Sequence, residues 1–376
     1  MRNFTCLVSS IGLTSIVGLA SANKLMLGAY IRDDAYKPEN ITEFESDINK
    51  DIAIINIFTN FDYDWHTLRV QNTNIVAQGA TPMITLEPTI AARPEDNLLP
   101  EIIAGDWDAY LEQWIADFRI WIEDRDDPNA RIQLRFAHEF NGNWYPWSND
   151  PEQYIPAWRH LHAKFEAAGV NQYVEWVWNV NNVDVDDYGD ITLYYPGRDV
   201  VDWTSIDGYN WGANYSFSQW NTFTELFEEK YDLLMLHYPH HPILIAEVGS
   251  AEPSDIPEPH RGQDGDNSDR HESKSRWITD MFTQLRTKFQ GIKGIIWFNI
   301  NKELSWSLNE TEQNTGLEQF KKMAQNKDIT SQFRPAEYYV NEMTQVEKSR
   351  SVQHQGDGFY QLPKTSIKLR RKPPQE

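Results

Sequence analysis

Cysteine is almost missing from this chain of 376 residues: Cys6 is the only one. A disulfide framework is therefore excluded, and a chain this long buries an adequate core without one. Positive charge is also scarce, with 34 Lys+Arg against 56 Asp+Glu, a formal net charge of −22 and a pI near 4.8. Nucleic acid and strongly anionic ligands need a basic surface and are disfavoured as partners. No apolar run is long enough to span a bilayer, which takes about 20 residues. Charged residues at 24% and hydrophobic residues at 40% leave room for neither a disordered chain nor a membrane bundle. No G-x-G-x-x-G follows the first apolar run, so nothing marks a dinucleotide fold, and no repeat of 20–50 residues is present.

What is abundant is aromatic. The chain holds 15 Trp, 17 Tyr and 17 Phe, 13% of its residues. Most belong in a large core. A second use is carbohydrate binding, because sugar rings offer apolar C–H faces to flat indoles.

The ends differ from the middle. Residues 1–22 combine Arg2, an apolar stretch from Leu7 to Ala20 and Ala20-Ser21-Ala22, the pattern of a secretory signal cleaved after Ala22. Cys6 lies within it. Residues 341–376 hold seven Lys/Arg against four Asp/Glu, a basic tail expected to be poorly ordered. Residues 23–340 carry the organised part.

There, short apolar runs alternate with helical patterns. Strands are predicted at 25–31, 52–58, 82–87, 132–138, 173–179, 203–209, 243–248 and 293–299. Several are continuously apolar, as strands buried on both faces of a parallel sheet must be. Tyr110, Leu111, Trp114, Phe118 and Trp121 form one sticky helical face; Phe223, Leu226, Phe227, Tyr231 and Leu234 form another. Asp150-Pro151 reads as an N-cap followed by proline at the first helical position. Eight strands alternating with helices predict an α/β fold, a single (β/α)8 TIM barrel.

Barrel chemistry collects where strands end. The fourth strand runs out through Arg135-Phe136-Ala137-His138-Glu139-Phe140-Asn141-Gly142-Asn143-Trp144, and the seventh through Glu247-Val248-Gly249. A lone glutamate after an apolar strand needs no function. Two of them on strands facing each other across a barrel mouth are the minimum equipment for glycoside hydrolysis, one carboxyl protonated and one ionised.

The run R-x-x-H-E-x-N-G-x-W, with Asp207-Gly-Tyr-Asn-Trp211, Glu247-x-Gly249 and Trp297, resembles glycoside hydrolase family 26 over roughly residues 25–325. The resemblance implies a (β/α)8 barrel, a retaining endo-β-glycanase and no cofactor or catalytic metal. By position Glu139 matches the general acid/base and Glu247 the nucleophile. His138 matches the histidine beside the acid/base, and Tyr209 the tyrosine that bonds the nucleophile. Arg135, Trp144 and Trp297 match residues around the cleaved bond, with Trp211 added as a sugar-binding candidate. Arg135 also has a purely structural reading, and Trp297 one as a packing residue. Retention calls for carboxyls roughly 5–5.5 Å apart.

Family mannanases typically read R-P-L-H-E and W-F-W-W near the acid/base. Phe136-Ala137 and Tyr145-Pro146-Trp147 stand here instead, which resembles the mixed-linkage glucanase branch. The expected substrate is mixed-linkage β-1,3-1,4-glucan or β-1,4-mannan, with β-1,3-xylan and a non-catalytic carbohydrate-binding barrel as alternatives. Glu87-Pro88 and Trp178-Asn179 are further sugar-site candidates, and residues 251–269 a candidate rim of the cleft. Asp264–Asp269 has the oxygens of a calcium loop without the Gly and Glu of an EF-hand, so no metal is expected. His237, His240 and His241 suit a helix C-terminus better than zinc. Sequons stand at Asn40, Asn214 and Asn309. A secreted monomer acting on polysaccharide is expected.

Overall fold

The computed structural model describes residues 24–125, 127, 129–185, 190–252, 272–309 and 315–341. The signal-like segment, the basic tail and the loop around Asp264–Asp269 lie outside them. Eight parallel strands close into a barrel: β1 (Leu25–Ile31), β2 (Ile54–Asn60), β3 (Thr81–Glu87), β4 (Ile132–Phe136), β5 (Val174–Asn181), β6 (Trp203–Asn210), β7 (Ile243–Ser250) and β8 (Ile292–Asn299). Closure comes from β1, which pairs with β2 at Gly28↔Ile54 and with β8 at Ala29↔Trp297. A short strand not foreseen from the sequence, β9 (Ile329–Thr330), adds parallel to the start of β1.

Helices α1 (Pro38–Ile48), α2 (Trp65–Ala77), α3 (Leu99–Ala104), α4 (Asp108–Glu123), α5 (Pro151–Ala167), α6 (Phe223–His237), α7 (Lys274–Thr287) and α8 (Thr315–Ala324) connect the strands. Their starts follow local chemistry. Asp150 accepts a hydrogen bond from the Gln153 N–H ahead of Pro151, and Thr222 with Glu225 forms a reciprocal capping box. On α4, Leu111, Trp114, Ile115, Phe118, Trp121 and Ile122 are buried. At about 2 kcal/mol each, that face contributes on the order of 10 kcal/mol of gross burial, an upper figure. Strict alternation fails twice. Two helices, α3 and α4, lie between β3 and β4, and among the described residues the β5–β6 connection holds a 3-10 turn, Ile191–Tyr194, in place of a helix.

The period-2 alternation of side chains splits the core into two layers. Leu27, Ile55, Ile84, Ile245 and Trp297 face the helices. Met26, Ile54, Met83, Val177, Trp203, Leu244 and Ile296 fill the barrel, and Ala336 and Tyr339 close it from below. Above this apolar floor the interior turns polar, with Asn56, Thr85, Arg135, Asn179 and Asp207 all buried. A buried polar layer must pair internally, and its pairing builds the site.

Candidate active site

Arg135, on β4, is fully buried at the centre of the mouth. Its three nitrogens reach three strands. Nε donates to Thr85 Oγ1 on β3 at 2.9 Å, one terminal nitrogen to Asp207 Oδ2 on β6 at 2.6 Å, and the other to Glu247 Oε1 on β7 at 2.5 Å. Asn179 on β5 donates to Asp207 Oδ1 at 2.9 Å. Burial pushes the Asp207 carboxyl up, against the pull of the Arg135 guanidinium 2.6 Å away and of the Asn179 amide. It stands as the carboxylate of an ion pair with Arg135.

Glu247 reaches the interior through an irregularity. Register along β6 and β7 runs Ile206↔Ile245 and then Asp207↔Glu247, so β7 holds one extra residue, Ala246. Leu244 and Ala246 both pack inside the barrel. Regular alternation would send the next residue, Glu247, outward. The bulge turns it inward opposite Asp207. There Tyr209 Oη donates to Glu247 Oε2 at 2.5 Å, and His138 Nε2 lies 4.0 Å from Oε1. Burial and the Glu247 charge push the Tyr209 hydroxyl well above its usual value, so it remains a donor.

Glu139 is placed by a turn. β4 ends at Phe136, earlier than the sequence suggests, so strand alternation does not set the direction of Glu139. Ala137 and Glu139 instead adopt left-handed backbone, at φ 47° and 51°. Such residues are strained, and they persist where the surroundings over-determine them. The Glu139 N–H donates to Asn179 Oδ1 at 3.1 Å, its Oε1 accepts from Asn181 Nδ2 at 2.7 Å, and its Oε2 from Trp144 Nε1 at 2.7 Å. Burial, then the Glu247 charge, push this carboxyl up to about 7, against the pull of Asn181, Trp144 and Arg135. One guanidinium balances two carboxylates, Asp207 and Glu247. A third buried charge has no counter-ion of its own, so Glu139 keeps its proton up to about pH 7.

The rest of the β4 loop braces this turn. Trp147 Nε1 donates to the His138 carbonyl at 2.8 Å, Tyr145 stacks on Trp147 at 4.3 Å, and the Tyr145 hydroxyl meets His138 Nε2 at 2.9 Å. Burial, then Arg135, push the His138 imidazole well below its usual value, leaving it neutral. Gly142 is required here, because a Cβ would stand 2.4 Å from the Trp144 ring.

Two of the proposed sugar-contacting tryptophans are elsewhere. Trp297 is wholly buried in the helix layer against Trp277 and Phe320, and its indole N–H donates to the Trp306 carbonyl. Its position on β8 points outward; Phe298, next in the chain, points to the mouth. Trp178 is likewise turned outward, against Phe140 and Tyr238. Trp144 is 45% exposed and Trp211 is half-buried at the rim, so these two remain in the cleft. Trp306, which the sequence reading missed, packs 5.0 Å from both Tyr209 and Trp211. Asn181 was also missed, because it lies past the predicted end of its strand at residue 179. Among the described residues, no group of three or more His, Cys, Asp or Glu is arranged to hold a metal ion, and no helix is long and apolar enough to cross a membrane.

Known proteins resemble this chain to different extents. The model of the family described as "Glycosyl hydrolase family 26" matches residues 98–238. "Endoglucanase H" of Acetivibrio thermocellus is 33% identical over 323 residues, covering 83% of this chain and 32% of that protein. "Mannan endo-1,4-beta-mannosidase A and B" of Caldalkalibacillus mannanilyticus is 26% identical over 141 residues, 35% of this chain and 24% of that protein. The chain thus spans about a third of the length of Endoglucanase H. Among solved structures, a modular endo-beta-1,4-mannanase from Cellulomonas fimi superposes with a TM-score of 0.59 at 12% identity, covering 82% of this chain and 72% of that one. The YdhT protein from Bacillus subtilis gives 0.56 at 16% identity, covering 82% and 87%. At such identities the likeness is one of fold.

Proposed function

The chain belongs to glycoside hydrolase family 26, and on that premise we propose that it is a secreted, monomeric, retaining endo-β-glycanase that cuts β-1,4 linkages in a neutral polysaccharide. The observation that carries this reading is the division of labour between two buried carboxyls. Glu247 is held by Arg135 and Tyr209. Glu139, without a counter-ion of its own, is raised to about 7.

Glu139 gives its proton to the glycosidic oxygen while Glu247 attacks the anomeric carbon from the opposite face. The leaving chain departs as an alcohol and the sugar remains esterified to Glu247. Glu139, now ionised, takes a proton from water as that water attacks the same carbon, and Glu247 is released. Arg135 positions Glu247, and neutral His138 beside it adds no charge that would compete for the carboxylate. Trp144 fixes Glu139 from the solvent side and offers its ring to sugar.

Mixed-linkage β-1,3-1,4-glucan is the substrate these features favour. Phe136-Ala137 and Tyr145-Pro146-Trp147 depart from the mannanase pattern, and the relative matched over most of this chain carries the name endoglucanase. β-1,4-mannan is the second reading, supported by the mannanases among the structural neighbours. Reducing-sugar release from barley β-glucan, lichenan, mannan and β-1,3-xylan separates them. Fastest cleavage of lichenan and barley glucan is expected; fastest cleavage of mannan reverses the order, and no release from any of them removes the hydrolase reading. Glu247→Ala is expected to lose turnover by about 10⁴-fold or more, with azide restoring cleavage and yielding an α-glycosyl azide. A β-azide in that assay means Glu247 is not the nucleophile.

A further inference from the structure

Exposed aromatic side chains are few on this molecule and are not scattered. Among the described residues they are Tyr36, Tyr63, Trp144 and Phe217. Each lies in the connection after a strand, namely β1, β2, β4 and β6, which is the face of the barrel that carries Glu139 and Glu247. Of the exposed aliphatic residues, Ile120 and Leu236 sit on α4 and α6, while Val183 and Leu193 lie in the connection after β5.

Phe217 is the most exposed of the four, at 75%. Folding alone gives no reason for a phenylalanine so fully in water. Yet the ring is not isolated. It lies parallel to Tyr215, 5.2 Å away at 10°, and Trp211 meets both rings edge-on. The loop beneath is tied at several points. Ser218 Oγ donates to the Gly212 carbonyl at 2.7 Å and accepts from the Tyr215 N–H at 3.1 Å, while Asn210 Oδ1 accepts from the N–H groups of Gly212 and Asn221.

The stack is continuous with the catalytic centre. Trp211 packs on Trp306, Trp306 on Tyr209, and Tyr209 holds Glu247. A flat ring held against Tyr215 and open to water suits the apolar face of a neutral pyranose. Little entropy is lost when that sugar binds.

We propose that Phe217, seated on Tyr215, is the floor of an outer subsite that grips the polysaccharide several sugar units away from the bond cut between Glu139 and Glu247. This inference rests on the glycanase reading above and extends it to the length of chain the enzyme holds.

The test compares long and short substrates. Phe217→Ala, Phe217→Trp and the control Leu236→Ala are expected to melt as the unmodified chain does, since both positions face water. For Phe217→Ala, kcat/KM on polymeric β-glucan should fall about five- to tenfold, mainly through KM, while tri- and tetrasaccharides are cut at the unmodified rate. Phe217→Trp should restore polymer cleavage, and Leu236→Ala should change neither. A Phe217→Ala enzyme that treats long and short substrates alike overturns the proposal and leaves the hydrolase reading intact. In a Glu247→Gln background, affinity electrophoresis through β-glucan reads the subsite without turnover. Retardation lost on adding Phe217→Ala supports it, and unchanged retardation overturns it.

Discussion

Arg135 shows how much one side chain carries in a polar barrel interior. It is buried among three carboxyls and bonds to two of them. Arg135→Met leaves Asp207 and Glu247 buried without a counter-ion. The expected result is a loss of about 3–5 kcal/mol in unfolding free energy, read from denaturant midpoints, together with loss of activity. In the proposed mechanism Glu139 governs the pH response. Its carboxyl sits near 7, so activity should decline as pH rises through that value and the proton is lost. Trp144 donates to the ionised form and pulls that value down. Trp144→Phe removes the donor while keeping a ring, so the alkaline limb of kcat/KM should move to higher pH by a fraction of a unit. A limb that moves down or stays put assigns the titration to another group.

At the scale of elements, both carboxyls proposed to react depend on departures from regular structure. Ala246 is the extra residue that turns Glu247 inward, and the left-handed backbone at Ala137 and Glu139 turns the β4 loop over the mouth. Left-handed backbone costs a residue with a Cβ roughly 1–2 kcal/mol, which glycine avoids at some expense in chain entropy. Ala137→Gly is therefore expected to leave the fold as stable or up to about 1 kcal/mol more stable in thermal melts. It should also loosen the Glu139 turn, lowering kcat more than it changes KM. A stability loss above 1 kcal/mol counts against strain at Ala137.

For the whole molecule, two carboxyls give stability the same dependence on pH. Glu139 is raised from 4.5 to about 7 at the mouth, and Asp202 from 3.8 to about 7 beneath the barrel, by burial and then by the neighbouring Glu247 and Glu175 respectively. A raised carboxyl means the folded state binds the proton more tightly. The stability it contributes is complete below the unfolded value and is lost as pH rises through about 7. Each group accounts for on the order of 3–4 kcal/mol across that window. The net charge of −22 acts in the same direction through self-repulsion. Melting temperatures should fall between about pH 5 and about pH 8, and Glu139→Gln with Asp202→Asn should flatten that fall. Equal slopes in the two proteins mean that other groups set the dependence.

The sequence by itself determined the class of architecture and pointed to the two glutamates proposed to react. Apolar runs spaced by helical stripes leave few alternatives to a closed parallel barrel, and a glutamate is recognisable in a motif whatever its orientation. It did not determine which way side chains face near strand ends. Trp297 and Trp178 read as mouth residues yet turn outward, while Glu247 turns inward one position away from where alternation puts it. Trp306 and Asn181 carried no local signal at all. Orientation at those positions depends on register between neighbouring strands, and register is set by pairings between residues distant in the chain. Only the closed barrel, with a bulge in one strand and a strained turn after another, decided that Glu139 and Glu247 share one cleft, with Arg135 balancing the charge on Glu247.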